Sequence, residues 1–407
     1  MICGLLGRKL GHSYSPQIHR FLGDYPYTLF EKEPEEIEDF LKNGNFDGIN
    51  VTVPYKKDVI PYLDQLSPIA RKLGAVNTVV RRDGKLIGHN TDYFGFRTMV
   101  DSSGISVAGK KILVLGSGGA SNTAVAVLEE LGAEVEVISR SGENNYDNLG
   151  NHKDASAIVN TTPVGMYPNT GNAPVDLDRF PNLEGVLDVI YNPARTELLL
   201  QAEKRNLVTR NGLLMLVAQA KEAAEWFTGR EISNALITNI HATLAAQMQN
   251  ILLIGMPGCG KSTIGAKLAE MTGKRFVDAD DVVVQLAVKP IPEIFAQDGE
   301  EVFRNWETQA LATLGKQSGL VIATGGGCVT RERNYPLLHQ NGTMIWLKRD
   351  LDTLPTDGRP LSQANKLSDL YAIRKPLYEA FADHTIDNNG SPEQSIAAIL
   401  SLLEVPQ

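Results

Sequence analysis

The sequence is short of cysteine, of basic clusters and of long apolar runs. Its three cysteines, Cys3, Cys259 and Cys328, lie far apart without C-x-x-C spacing, which argues against a disulfide framework or a zinc site. The formal net charge is -9 and no Lys/Arg run is present, so we expect no nucleic-acid partner. No stretch of about 18 apolar residues occurs, and the N-terminal apolar run is too short for a secretory signal. We therefore expect no membrane partner and a cytoplasmic location.

The composition that remains is typical of a folded protein with more than one domain. The chain has 407 residues, of which 43% are hydrophobic and 21% charged, and about 150 residues per domain gives two or three domains. Short β-branched runs alternate with helical patterns, which predicts α/β domains with largely parallel sheets. One exception is residues 77–88, where Asp83-Gly84 predicts a tight hairpin. We expect domain boundaries near residues 102–104 and near residue 248, without a long linker.

A phosphate-binding loop is predicted at residues 255–262. These residues read GMPGCGKS, match the pattern G-x-x-x-x-G-K-[ST], and follow the apolar run 251–254. In this pattern the glycines let backbone amides face the phosphates, the lysine neutralises the β and γ oxygens, and the serine ligates magnesium. We therefore predict a site for ATP and Mg²⁺ formed by Gly258, Cys259, Gly260, Lys261, Ser262 and Thr263.

A second glycine cluster lies upstream, at residues 116–120, between a strand-like run and an amphipathic helical pattern. This GSGGA sequence is a weak dinucleotide-binding signal by itself, because Ser121 stands at the position of the usual third glycine. About twenty residues onward the next strand ends in Ser139-Arg140, where an NAD-binding domain carries an acid. A guanidinium there favours the 2′-phosphate of NADP. The alternative is a surface arginine without a ligand.

The phosphate-binding loop is accompanied by further polar motifs in the second half of the chain. Taken one by one, each has an ordinary explanation, such as a solvated arginine or a glycine turn. Together they resemble shikimate kinase, from about residue 250 to the C-terminus. The motifs are the Asp278-Ala279-Asp280 sequence, Arg304 on a helical pattern, the Gly325 to Gly327 run, Arg359 before Pro360, and Arg374 in an RKPLY sequence.

The resemblance to shikimate kinase implies a role for each of these residues. Arg304 and Arg374 would bind the substrate carboxylate, and Arg359 would reach the transferred phosphoryl group from a closing lid. Glu307, three residues after Arg304, would support that arginine. The segment before Arg359 is short for the family, and Leu354-Pro355 stands where another arginine is expected. In full, the implied substrate-binding residues are Asp280, Arg304, Gly325, Gly326, Gly327 and Arg374, the catalytic residues Asp280, Lys261 and Arg359, and the magnesium ligands Ser262 and Asp278.

Motifs in the first half resemble shikimate dehydrogenase, over residues 1 to about 247. A ketone reduction needs a proton donor beside the carbonyl oxygen, and a lysine close to a carboxylate in a desolvated cleft can supply it. The resemblance implies that Lys56 and Asp92 form this pair. The motifs are HSYSP at 12–16, NVTVPYK at 50–56, GAVNT at 74–78, GHNTD at 88–92, NTTPVGM at 160–166, YNP at 191–193 and LMLVAQ at 214–219.

The same resemblance implies the binding residues of the dehydrogenase half. Only about twenty residues separate Arg140 from Asn160, so we expect that a strand-helix unit of the cofactor domain is trimmed and that a second basic residue is missing. The implied carboxylate-binding residues are Ser13 and Ser15, the hydroxyl-binding residues Thr52, Asn77 and Gln219, and the NADP-binding residues Gly116, Gly118, Gly119, Ala120, Ser139, Arg140 and Met166.

These resemblances lead to one hypothesis for the whole chain. They imply an α/β substrate domain at 1–102, completed by 211–247, a Rossmann-type NADP-binding domain at 103–210, and a P-loop domain similar to nucleoside-monophosphate kinases at 248–407. They imply a bifunctional enzyme that reduces 3-dehydroshikimate to shikimate with NADPH and phosphorylates shikimate with ATP. Two alternatives stay open, a quinate/shikimate dehydrogenase-kinase and a sensor or regulator that has lost catalysis. The oligomeric state is left open.

Overall fold

The computed structural model describes residues 1–11, 13–354 and 367–403. They form two compact units. The first consists of Met1–Val164, Ala173–Tyr191 and Gln201–Thr243, and the second of Gly165–Asn172, Asn192–Leu200 and Leu244–Gln407. Two short segments of the predicted cofactor domain thus pack with the second unit. The domain division stated above stays a prediction. Within the described ranges, no helix combines the length and apolar character that crossing a membrane requires.

The first sheet is mixed and has the strand order β2-β1-β3-β5-β6-β4. The pairs β1–β2, β1–β3 and β4–β6 are parallel, whereas β3–β5 and β5–β6 are antiparallel. Asp83 and Gly84, both with positive φ, form the tight turn between β5 and β6, which confirms the predicted hairpin. The strands are β1 Cys3–Gly7, β2 Tyr27–Glu31, β3 Gly48–Val51, β4 Gln65–Leu66, β5 Thr78–Arg82 and β6 Lys85–His89, and the helices α1 Ser15–Leu22, α2 Ile37–Asn43, α3 Pro68–Leu73 and α4 Asp92–Ser103.

The second sheet is fully parallel, in the order β11-β10-β9-β7-β8. Between β8 and β9 the chain forms only a 3₁₀ turn, Leu149–His152, so β8 is an edge strand and the predicted trimming is present. The strands are β7 Lys111–Leu115, β8 Glu134–Ile138, β9 Ala157–Asn160, β10 Gly185–Asp188 and β11 Val208–Arg210, and the helices α5 Gly119–Glu130, α6 Glu197–Lys204, α7 Leu213–Thr228 and α8 Ala235–Met248.

The third sheet is also parallel, in the order β13-β14-β12-β15-β16. All five residues of its central strand β12 are buried, as expected for a parallel strand with helices on both faces. The strands are β12 Asn250–Ile254, β13 Arg275–Asp278, β14 Leu320–Ala323, β15 Gly342–Lys348 and β16 His384–Asp387. The helices are α9 Lys261–Thr272, α10 Ala279–Ala287, α11 Ile291–Gln297, α12 Glu300–Gly315, α13 Asn334–His339, α14 Leu367–Phe381 and α15 Pro392–Leu402.

Candidate active sites

The first unit contains a cavity of about 170 Å³ beside the first sheet. The cavity is lined by all seven residues that the dehydrogenase resemblance implies for substrate binding and catalysis, although they come from five separate stretches of chain. They are Ser13, Ser15, Thr52, Lys56, Asn77, Asp92 and Gln219.

Lys56 and Asp92 form an ion pair in this cavity, with 2.6 Å between Nζ and Oδ2. Asp92 is the first residue of α4, and its backbone amide donates to the Asn90 side chain at 3.0 Å. A carboxylate at a helix N-terminus is favoured by the helix dipole. The Asp92 side chain is only 10% exposed and the Lys56 side chain 28%, so the ammonium is the more accessible partner. Such a pair places a proton donor at the cavity wall.

Asn77 connects the ion pair to the rest of the cavity through a fixed amide. Its Nδ2 donates to Asp92 Oδ1 and to Thr91 Oγ1, both at 3.0 Å, and lies 3.4 Å from Gln219 Oε1. Its Oδ1 accepts from the Thr91 backbone amide at 2.7 Å. A buried amide with this many partners has a defined orientation. Asn77 and Gln219 can therefore present oriented amides to hydroxyl groups of a ligand.

The cavity wall also includes Tyr191 of the YNP motif, together with His19 and Asn50, for which the motifs gave no site role. The Tyr27 hydroxyl donates to Asn50 Oδ1 at 2.7 Å, and Asn50 Nδ2 donates to Thr78 Oγ1 at 3.1 Å. His19 is 1% exposed, and burial lowers its pKa to about 3, so its imidazole is neutral. A sequence signal for Asn50 exists, since it begins the NVTVPYK motif. His19 had none beyond its helical position.

The glycine cluster after β7 forms a turn whose backbone is open in front of a helix N-terminus. Gly116 has φ +110°, and a Cβ there would lie 2.8 Å from Thr161 Oγ1. At Gly118 and Gly119 a Cβ would meet nothing within 4 Å, so the backbone is open to a ligand. Helix α5 begins at Gly119, and its N-terminal amides and dipole favour an anion. Ser121 is buried in the helix-sheet packing, as a small residue at the third position must be.

The remaining residues predicted for NADP are Ser139, Arg140, Met166 and Ala120. Ser139 is 9% exposed at the end of β8, and its amide donates to the Asn144 carbonyl at 3.1 Å, which folds the loop back. Arg140 is exposed, so its guanidinium is free to meet a phosphate. Met166 lies in the segment Gly165–Asn172 of the second unit and is 45% exposed. Ala120 follows Gly119 in the first turn of α5.

The second unit contains a larger cavity, of about 480 Å³, at the carboxyl ends of β12, β13 and β14. Ligands of parallel α/β sheets bind at this edge. Cys259, predicted as an ATP-binding residue, is fully buried with its side chain beside Gly255, so only its backbone can contribute. Arg359 lies outside the described residues. The predicted residues that line the cavity are Gly258, Gly260, Lys261, Ser262, Thr263, Asp278, Asp280, Arg304, Gly325, Gly326, Gly327 and Arg374.

The phosphate-binding loop holds its lysine at the centre. Gly255, Gly258 and Gly260 all have positive φ, which allows the tight turn. Lys261 Nζ donates to the carbonyls of Gly255 and Met256 at 3.0 and 3.1 Å. Lys261 is 8% exposed, and its ammonium is fixed by these two carbonyls where phosphate oxygens are expected.

Ser262 and Asp278 provide the chemistry of a magnesium site. The Ser262 hydroxyl donates to Asp278 Oδ2 at 2.7 Å. Mg²⁺ prefers oxygen ligands and is usually held by one or two protein groups together with phosphates and water. In the described part of the chain, no group of three or more His, Cys, Asp or Glu side chains forms a metal cage. These two oxygen donors fit a magnesium ion whose remaining ligands come from a nucleotide and water.

Asp280 shares the cavity with a buried ion pair. Arg304 Nη1 lies 2.8 Å from Glu307 Oε2, and Arg304 Nη2 lies 3.0 Å from Glu300 Oε1. Burial, the Asp278 charge and the Glu307 charge raise the pKa of Asp280 to about 6. A carboxylate with a pKa near 6 can accept a proton at neutral pH. Glu307, expected only to support Arg304, also lines the cavity itself.

The glycine run after β14 has no room for side chains, because the side chains of other residues lie directly against its backbone. A Cβ at Gly327 would lie 2.2 Å from Arg304 Nη2, and one at Gly325 would lie 2.4 Å from Glu307 Oε1. Real Cβ atoms do not approach polar atoms so closely. The glycines therefore let the backbone pack directly against the buried Arg304–Glu307 pair. Arg374, which is 4% exposed, adds a second arginine to the lining of this cavity.

Comparisons with known proteins identify the families that both halves of the chain resemble. Residues 257–404 match the family model of shikimate kinase, and residues 5–79 match that of the shikimate dehydrogenase substrate binding domain. The shikimate dehydrogenase (NADP(+)) of Clostridium beijerinckii is 36% identical over 260 residues, which cover 59% of this chain and 96% of the relative.

Solved structures resemble about 60% of the chain. Shikimate dehydrogenase 1 from Peptoclostridium difficile is 39% identical with a TM-score of 0.55, and the match covers 60% of this chain and 97% of that one. Shikimate 5-dehydrogenase from Thermus thermophilus, solved with NADP(H) and shikimate, is 30% identical with a TM-score of 0.54, over 60% and 99% of the two chains. The chain thus belongs to the shikimate dehydrogenase family, carries a shikimate kinase domain in its C-terminal part, and is a bifunctional enzyme of the shikimate pathway.

Proposed function

We propose that the residues lining the two cavities carry out consecutive reactions on one carbocyclic acid. The first cavity reduces 3-dehydroshikimate to shikimate with NADPH, and the second transfers a phosphoryl group from ATP to the shikimate 3-hydroxyl. The observation that carries the proposal is the Lys56–Asp92 pair, 2.6 Å apart, in the same cavity as two oriented amides. The proposal includes the division of the chain into a substrate domain, an NADP-binding domain and a P-loop domain, with boundaries near residues 102, 210 and 248.

In the reduction, Lys56 donates the proton. Bound NADPH would supply the hydride for the carbonyl carbon, and the Lys56 ammonium donates its proton to the carbonyl oxygen. Asp92 holds the ammonium in place and stabilises its charge before transfer, and solvent then restores the proton. Ser13 and Ser15 bind the carboxylate, while Thr52, Asn77 and Gln219 bind the hydroxyl groups. Orientation of the ring by these contacts supplies much of the rate.

The proposed NADP site uses backbone amides and one exposed cation. The amides around Gly118 and Gly119, at the start of α5, bind the pyrophosphate. Arg140 binds the 2′-phosphate, which a guanidinium can hold through two hydrogen bonds. The trimmed loop after β8 folds back onto Ser139. Arg140 therefore provides the positive charge for the 2′-phosphate alone, without the second basic residue of the family.

In the phosphorylation, Asp280 accepts the proton of the attacking hydroxyl. The hydroxyl oxygen attacks the γ-phosphorus, the bond to the β–γ bridging oxygen breaks, and ADP leaves. Lys261 and Arg359 stabilise the charge on the transferred group, and Arg304 and Arg374 hold the carboxylate. Ser262 and Asp278 would hold a magnesium ion, which would neutralise phosphate charge. The raised pKa of Asp280 suits its role, because the group both ionises near neutral pH and takes up a proton readily.

One assay tests both reactions in a single chain. Purified protein is given 3-dehydroshikimate, NADPH, ATP and Mg²⁺, and NADPH absorbance and ADP release are followed together. We expect NADPH oxidation that needs 3-dehydroshikimate and ADP release that needs shikimate, either added or formed in the first step. A chain that binds all four ligands but turns over none would be a sensor rather than an enzyme. Quinate with NADP⁺ is the matched substrate control for the first cavity.

A further inference from the structure

The guanidinium of Arg349 lies beside the phosphate-binding loop, although no motif gave this residue a role. Arg349 directly follows β15. A Cβ built on Gly260 would lie 3.9 Å from Arg349 Nη1 and 3.4 Å from Asn388 Nδ2. Gly260 lines the second cavity and is the last residue before α9. Arg349 is therefore next to the part of the loop that the proposed phosphorylation assigns to ATP.

The order of the strands decides which part of the nucleotide can reach Arg349. The phosphate-binding loop follows the central strand β12, which has β14 and β13 on one side and β15 and β16 on the other. Asp280 and the Gly325–Gly327 run, assigned to the acceptor, follow β13 and β14. In phosphoryl transfer the attacking and leaving oxygens lie roughly in line, on opposite sides of the phosphorus. The ADP part of the nucleotide therefore extends toward β15 and β16, where Arg349 lies.

The backbone on both sides of Arg349 is held by the segment that follows β16. The Asn388 amide donates to the Lys348 carbonyl at 2.7 Å, and the Asp350 amide donates to Asn389 Oδ1 at 2.9 Å. These two bonds fix the residue before Arg349 and the residue after it. The guanidinium is thus carried by backbone of defined position.

The outer nitrogens of the guanidinium are available to a ligand. Nε donates to Thr353 Oγ1 at 3.2 Å. Within residues 1–11, 13–354 and 367–403, neither Nη1 nor Nη2 has a hydrogen-bond or ion-pair partner. A solvated surface arginine is the ordinary explanation for such a side chain, but Arg349 is half-buried and lies beside a phosphate-binding loop. The paired N–H groups of a guanidinium match the oxygens of a phosphate.

We propose that Arg349 binds the α- and β-phosphates of the nucleotide from the side of β15 and β16, as a further nucleotide-binding residue of the kinase site. Its Nη groups donate to phosphate oxygens, while the loop amides and Lys261 hold the same phosphates from β12. This inference rests on the proposed phosphorylation of shikimate. Because ADP keeps both phosphates after transfer, Arg349 contributes to binding of the nucleotide rather than to the transfer itself.

The first test is the variant Arg349→Gln in the full-length chain. We expect the KM for ATP to rise roughly tenfold, because a charge-assisted contact is lost, while kcat changes by less than about threefold. The KM for shikimate and the reduction of 3-dehydroshikimate should be unchanged. Arg349→Lys keeps the charge but loses the paired donors, so its KM for ATP should lie between those of Arg349→Gln and wild type. An unaltered KM for ATP in both folded variants would overturn the proposal.

Lys348→Gln is the matched control, because it removes the same charge from the neighbouring, exposed residue. If Arg349 acted only through the overall positive charge at this edge of the sheet, both glutamine variants should raise the KM for ATP alike. Exposed charges without a direct contact are largely screened, so we expect Lys348→Gln to stay within about twofold of wild type. Equal rises in the two variants would contradict a direct contact by Arg349.

Binding of ADP tests the contact without turnover. Calorimetric titration of the full-length chain with ADP and Mg²⁺, in the absence of shikimate, should give a Kd roughly tenfold higher in Arg349→Gln than in wild type. An unchanged Kd would refute the contact. Wild-type protein that binds ADP but does not phosphorylate shikimate would count against the proposed function, and the comparison of the two Kd values would still decide the role of Arg349.

Tripolyphosphate tells a phosphate contact from a contact to adenosine, because it has neither base nor ribose. As a competitor of ATP it should lose affinity in Arg349→Gln by about the same factor as ADP. If ADP binding is weakened while tripolyphosphate binding is not, Arg349 contacts the adenosine part, and the assignment to the α- and β-phosphates is wrong.

Discussion

Lys56 and Asp92 are in contact at 2.6 Å although 36 residues separate them in the sequence. The contact exists because the turn after β3 and the first turn of α4 meet at one edge of the first sheet. The pair lies in the first cavity, whereas Lys261 lies in the second. The two lysines therefore offer a way to switch off the reactions separately.

We expect Lys56→Ala to lower the rate of 3-dehydroshikimate reduction by roughly 10²- to 10⁴-fold, because the proton donor is lost. Phosphorylation of added shikimate should stay within about twofold of wild type. Lys261→Ala should show the reverse pattern. Both rates are read from NADPH absorbance and ADP release. Loss of both activities in either variant, with an intact fold, would show that the two sites are not independent.

The pH dependence of the kinase reaction tests the role of Asp280. Its pKa of about 6 implies that kcat/KM for shikimate falls as the pH drops through 6, because the protonated group cannot accept a proton. Glu307→Gln removes one of the negative charges that raise this pKa, so the acid limb should move to lower pH. Glu300→Gln is the matched control, since Glu300 also pairs with Arg304 but is half-exposed. Equal shifts in the two variants would contradict this assignment.

Asp280→Asn should stabilise the protein while it abolishes phosphorylation. The folded pKa of about 6 exceeds the ordinary value near 3.8, so ionisation is harder in the folded state. Stability is therefore lost as the pH rises from about 4 through 6, and the uncharged amide removes this loss. At pH 8 we expect a gain of roughly 1 to 3 kcal/mol in the free energy of unfolding. In thermal unfolding the gain should vanish near pH 4, and a gain that persists there would contradict the explanation.

Replacement of Arg140 tests the choice of cofactor. We expect Arg140→Ala to raise the KM for NADPH roughly tenfold or more, because a charge-assisted contact to the 2′-phosphate is lost. The KM for NADH, which lacks that phosphate, should change little. Initial rates with each cofactor on the same preparation provide the comparison. An equal change for both cofactors would place Arg140 away from the 2′-position.

Asn341 tests whether residues 192–200 are part of the second unit. Its Oδ1 accepts from the Ala194 amide at 2.8 Å, its Nδ2 donates to the Gly315 carbonyl at 3.0 Å, and its carbonyl accepts from the Asn250 amide. Because Asn341 is 4% exposed, Asn341→Ala leaves buried groups unpaired and should cost roughly 1 to 3 kcal/mol. Asn43→Ala, on an exposed face of α2, is the control. Denaturant unfolding monitored through the kinase activity measures the difference.

The sequence was sufficient to predict those features that are encoded within a short stretch of the chain. The phosphate-binding loop, the hairpin at Asp83-Gly84 and the trimmed segment after β8 are each set within about twenty residues, and all three are present in the structure. The family motifs also identified seven residues that line one cavity. They could do so because members of a family share a fold, so residues of its motifs lie together in space. Contacts between residues that are distant in the sequence could not be predicted in this way.

The missed features depend on contacts between distant, unremarkable residues. Ala194 and Arg195 follow a motif, yet nothing in their sequence indicates that their amides donate to Asn341 and Gln340. His19 is similar, because a histidine on an amphipathic helix is usually a satisfied core residue. Only the fold shows that its ring lies in the wall of the first cavity.

The connection between α8 and β12 is closed by one side chain. Lys274 Nζ donates to the carbonyls of Ala246, Gln247 and Gln249, at 2.7, 3.0 and 2.8 Å. These carbonyls end the helix and would otherwise face water. A protease cleaves backbone that is locally unfolded. The three hydrogen bonds from Lys274 keep the backbone folded where the dehydrogenase part of the chain joins the kinase part. Limited proteolysis should therefore fail to separate the dehydrogenase from the kinase at residues 246–249, and the two activities should survive or be lost on one undivided polypeptide.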